Sequence, residues 1–211
     1  MTLEKELKYL LDKRGYSKLI TTIRPFIRGQ IRQDNCYFDT DQLILRKHRC
    51  GLRIRVQNNR DAFVTLKLPC KSPSRQIRSY KVRHEWETRI PLRSARLIIA
   101  GKKSILTLRV KPIQILKKRM KKFDLESIRP LGAVRNLRTV AQSPDELEWE
   151  IDKFKMFKRK FYELEVETDD PKETDRVVRY FLALSHIPYL PSTKSKLGRF
   201  FEFWKKKNLS H

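Results

Sequence analysis

Two stretches decide the reading of this chain: Glu4-Lys5-Glu6-Leu7-Lys8 near its start and Tyr162-Glu163-Leu164-Glu165-Val166-Glu167 near its far end. Both alternate an acid with another residue type, and both lie in segments that read as β-strands. Side chains at i, i+2 and i+4 of a strand share a face. Glu4, Glu6 and Lys8 therefore line one face of the first strand, and Glu163, Glu165 and Glu167 line one face of a late one. If the two strands pair, their carboxylates converge into an oxygen cage suited to a hard divalent cation.

Other strands repeat the pattern. Arg53 and Arg55 alternate with Leu52, Ile54 and Val56; Arg83, Glu85 and Glu87 alternate with Val82 and Trp86; Glu148, Glu150 and Asp152 alternate with Leu147, Trp149 and Ile151. One such strand alone describes a sheet with a wetted face. Charges of mixed sign in nearly every strand point instead to a barrel whose charged faces turn inward as a polar tunnel. Strands are expected over residues 3–11, 29–38, 51–57, 62–68, 78–90, 134–141, 146–151 and 161–168, with a hairpin turn at Asn58-Asn59-Arg60-Asp61 and a turn at Ser143-Pro144-Asp145. Helices are expected over residues 17–27, 43–48, 94–108 and 171–184, a loop over 69–76, and a loop with a short final element over 188–200. The fold class is α+β: a closed eight-stranded antiparallel β-barrel with helices packed on its apolar outside. No repeat or linker splits residues 1–211, so a single domain is expected.

The charge balance is the second strong signal. Among 211 residues, 49 Lys and Arg face 24 Asp and Glu, a net charge of +25. Such a field attracts polyanions and says nothing about fold. Cys36, Cys50 and Cys70 are odd in number and form no CxxC pair, so neither a disulfide framework nor a zinc knuckle is supported, and a reducing cytoplasm is the expected location. The charged N-terminus does not read as a signal peptide, and no apolar run approaches the ~20 residues of a membrane span. His48, His84, His186 and His211 are scattered and read as solvent-facing. The run Lys117, Lys118, Arg119, Lys121, Lys122 and the tail Lys205-Lys206-Lys207 read as solvated faces, or as a docking surface for a longer polyanion.

In order along the chain, these residues resemble the CYTH superfamily, the triphosphate tunnel metalloenzymes. Glu4-x-Glu6-x-Lys8 resembles the ExExK signature. Tyr37-Phe38-Asp39-Thr40, Leu52-Arg53-Ile54-Arg55, Thr65-Leu66-Lys67, Arg83-x-Glu85-x-Glu87, Leu131-Gly132 followed by Arg138, Ile151-Asp152, Tyr162-Glu163-Leu164-Glu165 and Ser195-Lys196 resemble the motifs that follow it. The resemblance spans essentially the whole chain and is to the bacterial inorganic triphosphatase-like branch. It implies that Lys8, Arg53, Arg55, Lys67, Arg83, Arg138 and Lys196 clasp phosphate oxygens, for which the planar fork of Arg is well shaped. It implies that Glu4, Glu6, Glu163 and Glu165 hold one or two Mg2+ or Mn2+ ions. Asp152 joins them as a metal or water contact, in preference to a salt bridge. Glu85 and Glu87 are second-rank candidates that bind metal or orient the bases.

The implied chemistry is metal-dependent hydrolysis of a triphosphate, inorganic tripolyphosphate first, by positioning and electrostatic stabilisation. One metal on Glu6 and Glu165 would bridge phosphate oxygens, and a second on Glu4 and Glu163 would hold and acidify the attacking water, which makes Glu4, Glu163 and Lys8 the catalytic set. RNA 5′-triphosphatase, thiamine triphosphatase and class IV adenylyl cyclase share the tunnel; no adenine pocket is legible here. A polyphosphate- or RNA-binding module without catalysis is the contrasting class, and the acidic motifs oppose it. The partner is a triphosphate-containing small molecule or polyphosphate, with RNA kept open, no membrane, and no reading of oligomeric state.

Overall fold

Alternating sequence sorts side chains onto two faces of the strands in the computed structural model, which describes residues 2–70, 79–143 and 146–208, with side chains as far as Lys206. In chain order the elements are β1 (Thr2–Leu11), α1 (Lys13–Thr22), β2 (Ile27–Asp39), α2 (Ile44–Lys47), β3 (Gly51–Gln57), β4 (Asp61–Pro69), β5 (Tyr80–Ile90), α3 (Leu92–Ile99), α4 (Lys111–Arg119), β6 (Arg129–Gln142), β7 (Glu148–Met156), β8 (Arg159–Glu167), α5 (Pro171–Leu184) and α6 (Lys196–Asn208). The eight strands close into an antiparallel barrel in the order β1-β5-β4-β3-β2-β6-β7-β8. Most of the loop expected over 69–76, the turn residues Pro144 and Asp145, the Lys207 side chain and His211 lie outside the described residues. Among the described residues, no helix is long and apolar enough to cross a membrane.

Two compact units can be described. The first comprises the described residues of Met1–Leu3, Arg32–Cys70 and Arg83–Arg135. Here Leu52 stands opposite Leu66, and Leu66 opposite Trp86, while Arg53 stands opposite Thr65 and Lys67 opposite Glu85. One face is thus aliphatic and the other polar. The aliphatic face packs with Ala95 and Ile98 of α3 and Ile113 and Leu116 of α4, all buried. Each fully buried Leu or Ile contributes about 1.5–3 kcal/mol. The expected helix over 94–108 is shorter than its pattern. Gly101, at φ +71, ends α3 in a Schellman turn, with Gly101 N–H on Ile98 O at 3.0 Å and Lys102 N–H on Leu97 O at 2.9 Å. The Asp39-Thr40 pair builds the start of α2. Asp39, fully buried, accepts from the backbone N–H groups of Thr40 and Leu45 at 2.8 Å and Arg46 at 2.9 Å, and Thr40 Oγ1 accepts from Ile44 N at 3.0 Å. Lys117, Lys118 and Arg119 form the exposed last turn of α4, where the helix dipole favours cations.

The second unit comprises the described residues of Glu4–Ile31, Lys71–Val82 and Asn136–His211. β1, β8 and β7 lie side by side, with Leu7 and Trp149 both opposite Val166 and Ile151 opposite Leu164. This apolar face is covered by Leu19 of α1 and by Val178 and Leu182 of α5. Trp149 meets Phe181 of α5 edge to face at 4.8 Å. Asp170 caps α5, accepting from Lys172 and Glu173 backbone N–H groups, with Pro171 at the first helical position. The C-terminal segment corrects the expected short final element: α6 runs thirteen residues. Ser195 starts it, with Gly198 N–H on its Oγ at 3.1 Å and Arg199 N–H on its carbonyl at 3.0 Å. Phe200 and Phe201 are buried and Phe203 packs on Phe161 at 5.7 Å. Tertiary burial of this aromatic face makes a helix of a segment whose basic tail hid the pattern.

Candidate active site

The polar faces of β1, β8 and β7 meet in one buried cluster. Register places Lys8 opposite Glu165, Glu150 opposite the same Glu165, and Asp152 opposite Glu163. Directly opposed residues share a face, so alternation in three separate segments becomes a single constellation. Asp152 and Glu163 are fully buried, and Glu6, Lys8 and Glu165 nearly so. Burial of this much charge is tolerated only when it is paired.

Glu165 is the hub. Its Oε1 receives Lys8 and, at 2.5 Å, Lys196; its Oε2 receives Arg138 at 2.7 Å. Arg138 spreads its fork over Asp152, with Nε on Oδ1 at 2.8 Å and Nη2 on Oδ2 at 2.7 Å, and also pairs with Glu150. Asn136 donates to the same Asp152 at 2.8 Å, and Lys196 reaches it at 2.7 Å. Lys8 also pairs with Glu6 at 2.9 Å. Arg199, one turn along α6 from Lys196, donates to Glu163 at 3.1 Å and to Ser192 at 2.9 Å. Glu163 Oε2 makes no hydrogen bond among the described residues, although Lys196 Nζ stands 3.3 Å from it. Glu4, half-buried, lies within electrostatic reach of Lys8.

The titration of these groups follows from their packing. Burial pushes the Glu165 carboxyl up, but Lys196, Lys8 and Arg138 together hold it well below the usual range. Burial likewise opposes ionisation of Asp152, and Arg138 and Lys196 overcome it. Burial raises Glu150 against the pull of Arg138. Lys8 and Lys196 are disfavoured by burial but held protonated by the surrounding carboxylates. Lys81 of β5 goes the other way: burial first, then the positive charge of Lys8, pull its amine down to about 7.

The other unit carries its own polar row. Lys67 Nζ pairs with Glu85 at 2.8 Å, and Arg53 lies 3.6 Å from Glu85 and 3.8 Å from Glu87. Thr65 donates to Glu87 at 2.6 Å, and Arg55 donates to Asn35 at 3.3 Å. Arg83 turns to the Arg49 carbonyl at 3.2 Å. Glu85 thus stands against Lys67 and Arg53, and Glu87 against Thr65 and Arg53.

Of the residues the sequence singled out, Glu6, Lys8, Arg138, Asp152, Glu163, Glu165 and Lys196 come together, and Arg53, Lys67, Glu85 and Glu87 come together separately. Asp152 makes salt bridges with Arg138 and Lys196. Asn136, Arg199 and Lys81 were not singled out. Asn136 stands two residues before Arg138 on one strand face, and Arg199 follows Lys196 at the i+3 spacing of a helix face, which only a recognised α6 reveals. The oxygen-only set of Glu4, Glu6, Glu163 and Glu165 has the donor chemistry of a hard divalent cation, and Glu163 Oε2 is buried with no hydrogen bond among the described residues, the Lys196 ammonium standing 3.3 Å away. Among the described residues, no three such groups stand together in a ligating arrangement; Lys8, Arg138, Lys196 and Arg199 hold the oxygens instead.

Comparison with known proteins agrees with this architecture. The Hippeastrum protein HpAC1, described as a candidate adenylyl cyclase with a dominant triphosphatase activity, is 26% identical, with 95% of this chain and 96% of that one covered at a TM-score of 0.84. A candidate adenylate cyclase of Bacillus halodurans (bh2851) is 21% identical over 95% of this chain and 100% of that one, TM-score 0.75. The PH1012 protein of Pyrococcus horikoshii is 17% identical over 91% and 96%, TM-score 0.56. The last two share the fold. No curated protein matches. The CYTH domain family model matches residues 2–201. With its closed eight-stranded barrel, its ExExK strand paired to the YELE strand, and that match across nearly its whole length, the chain belongs to the CYTH domain family.

Proposed function

We propose that this protein hydrolyses a triphosphate in a reaction that needs a divalent cation, with inorganic tripolyphosphate as the preferred substrate. The observation that carries the reading is the convergence of Lys8, Arg138 and Lys196 on one buried carboxylate, Glu165. Three cations held around a carboxylate are pre-positioned to receive phosphate oxygens, and as negative charge builds on the transferred phosphoryl group their hydrogen bonds strengthen. The triphosphatase activity in the description of HpAC1 supports the same class.

Glu4, Glu6, Glu163 and Glu165 would hold Mg2+ or Mn2+. Such an ion neutralises phosphate charge and acidifies water. Asp152 and Glu150 keep the Arg138 fork in place. Arg199 and Lys196 hold Glu163 from its two oxygens, which fixes the direction of the carboxylate. For Arg53, Arg55, Lys67 and Arg83 the reading as phosphate donors rests on their charge and on the family motifs they match. Residues 1–211 are read as a single functional domain, supported by the extent of the family match, and the location as cytoplasmic, supported by three free cysteines.

Incubation with tripolyphosphate, ATP, thiamine triphosphate and 5′-triphosphorylated RNA, each with Mg2+ or Mn2+, tests this. Phosphate release should be fastest from tripolyphosphate, slower from ATP, and abolished by excess EDTA. Full activity in EDTA, or cyclic AMP as the main product from ATP, would overturn the proposal. Tight binding of all four without turnover would indicate a binding module.

A further inference from the structure

Among the described residues, Lys81 takes no part in the ion pairs of the cluster. It is the second residue of β5 and begins the charged alternation of that strand. Its Nζ is buried and makes no hydrogen bond among the described residues. Just before β5, the Ser79 carbonyl accepts from the Lys8 backbone N–H at 3.2 Å, which sets this end of the strand beside Lys8, and the charges of Lys8, Glu6, Glu163 and Glu165 act on the Lys81 amine. Those groups are already engaged with one another: Lys8 with Glu6 and Glu165, Lys196 with Glu165 and Glu163, and Arg199 with Glu163. Every other cluster base is matched to carboxylates, while Lys81 is buried beside a like charge. A polar group taken from water without a partner is costly. An amine that served only the fold would pair as Lys8 and Lys196 do. Arrival of an oxyanion would satisfy it, and a lysine suits that task because its compact ammonium directs three donors at phosphate oxygens.

We propose that Lys81 is a further substrate-contacting residue, its ammonium donating to a phosphoryl oxygen of the bound triphosphate. The proposal rests on the triphosphate reading of this site and adds a contact that the family motifs quoted above do not include.

The test is calorimetric binding of a methylene-bridged tripolyphosphate analogue, which cannot be hydrolysed, in the presence of Mg2+. It compares the wild type, Lys81→Met and Lys81→Arg, with ligand-free thermal unfolding of each. Lys81→Met should weaken binding roughly 10- to 100-fold while the ligand-free Tm stays level or rises, because an unpaired buried amine is gone. Lys81→Arg, which keeps the charge, should recover most of the affinity. Equal affinity in wild type and Lys81→Met overturns the assignment. So does a Lys81→Met protein that loses stability yet binds, per folded molecule, like wild type, since the amine would then serve the fold. If Lys81→Met does not fold, Lys81→Gln replaces it under the same criteria. A wild type that fails to bind the analogue removes the triphosphate reading and Lys81's role with it; wild-type binding with an unaffected variant removes the role of Lys81 alone.

Discussion

Replacing Arg138 with Met should destabilise the protein by about 3–5 kcal/mol at neutral pH, the cost of removing one partner from a buried ion pair. The guanidinium contacts Glu150, Asp152 and Glu165, and its side chain is only 12% exposed, so solvent screens little of the interaction. Met keeps much of the apolar volume, which limits the cavity contribution. Asp152 retains Asn136 and Lys196, and Glu165 retains Lys8 and Lys196, which places the expectation at the lower end, about 3 kcal/mol. Against a typical total of about 5–15 kcal/mol that is a large fraction. Urea unfolding followed by tryptophan fluorescence measures it. The pH dependence has a defined sign. In the wild type the folded pKa of Asp152 is depressed, so its contribution is present above the unfolded value of about 3.9 and lost as pH falls through the lower folded value. Without Arg138, burial dominates and opposes the charged form. The gap between wild type and variant should then be full at neutral pH and narrow as the medium is acidified toward about pH 4. A loss below about 1 kcal/mol, the range of exposed pairs, or a gap that widens on acidification, would refute the view that Arg138 is held by buried carboxylates.

Glu163→Gln should cut kcat far more than it weakens tripolyphosphate binding if Glu163 holds the proposed metal, because Lys8, Arg138 and Lys196 remain; a loss mainly in affinity would assign Glu163 to substrate binding. Lys8→Ala should raise KM and lower kcat together, by roughly 1.5–3 kcal/mol of transition-state stabilisation, and unchanged kinetics would remove Lys8 from the site. Neutralising Lys117, Lys118, Arg119, Lys121 and Lys122 together should leave tripolyphosphate hydrolysis nearly intact but flatten the salt dependence of binding to long polyphosphate or RNA. Identical slopes for wild type and variant would mean that this run is a solvated helix end.

Strand identity was legible because side-chain alternation is a local property. Glu4, Glu6 and Lys8 against Leu7, Tyr9 and Leu11 needs only the pleat of one strand, and the same holds for Arg53 and Arg55 against Leu52 and Ile54. Family motifs carried the order of the candidate residues and the closed barrel. Helix ends were less legible. The pattern over 94–108 did not show that Gly101 would adopt positive φ and end α3, and the basic tail concealed α6, whose helicity depends on burying Phe200 and Phe201. Charge partners were not legible at all. Whether Asp152 meets Arg138 and Lys196, whether Arg199 reaches Glu163, and whether Lys81 is left unpaired all depend on which strands and helices lie side by side. Pairing energy is set by distances of a few ångströms between residues far apart in sequence, such as Lys8 and Glu165. Alternation places a charge on a face; only the register of β1, β8 and β7 and the docking of α6 decide which opposite charge it meets and how far water is excluded from the pair.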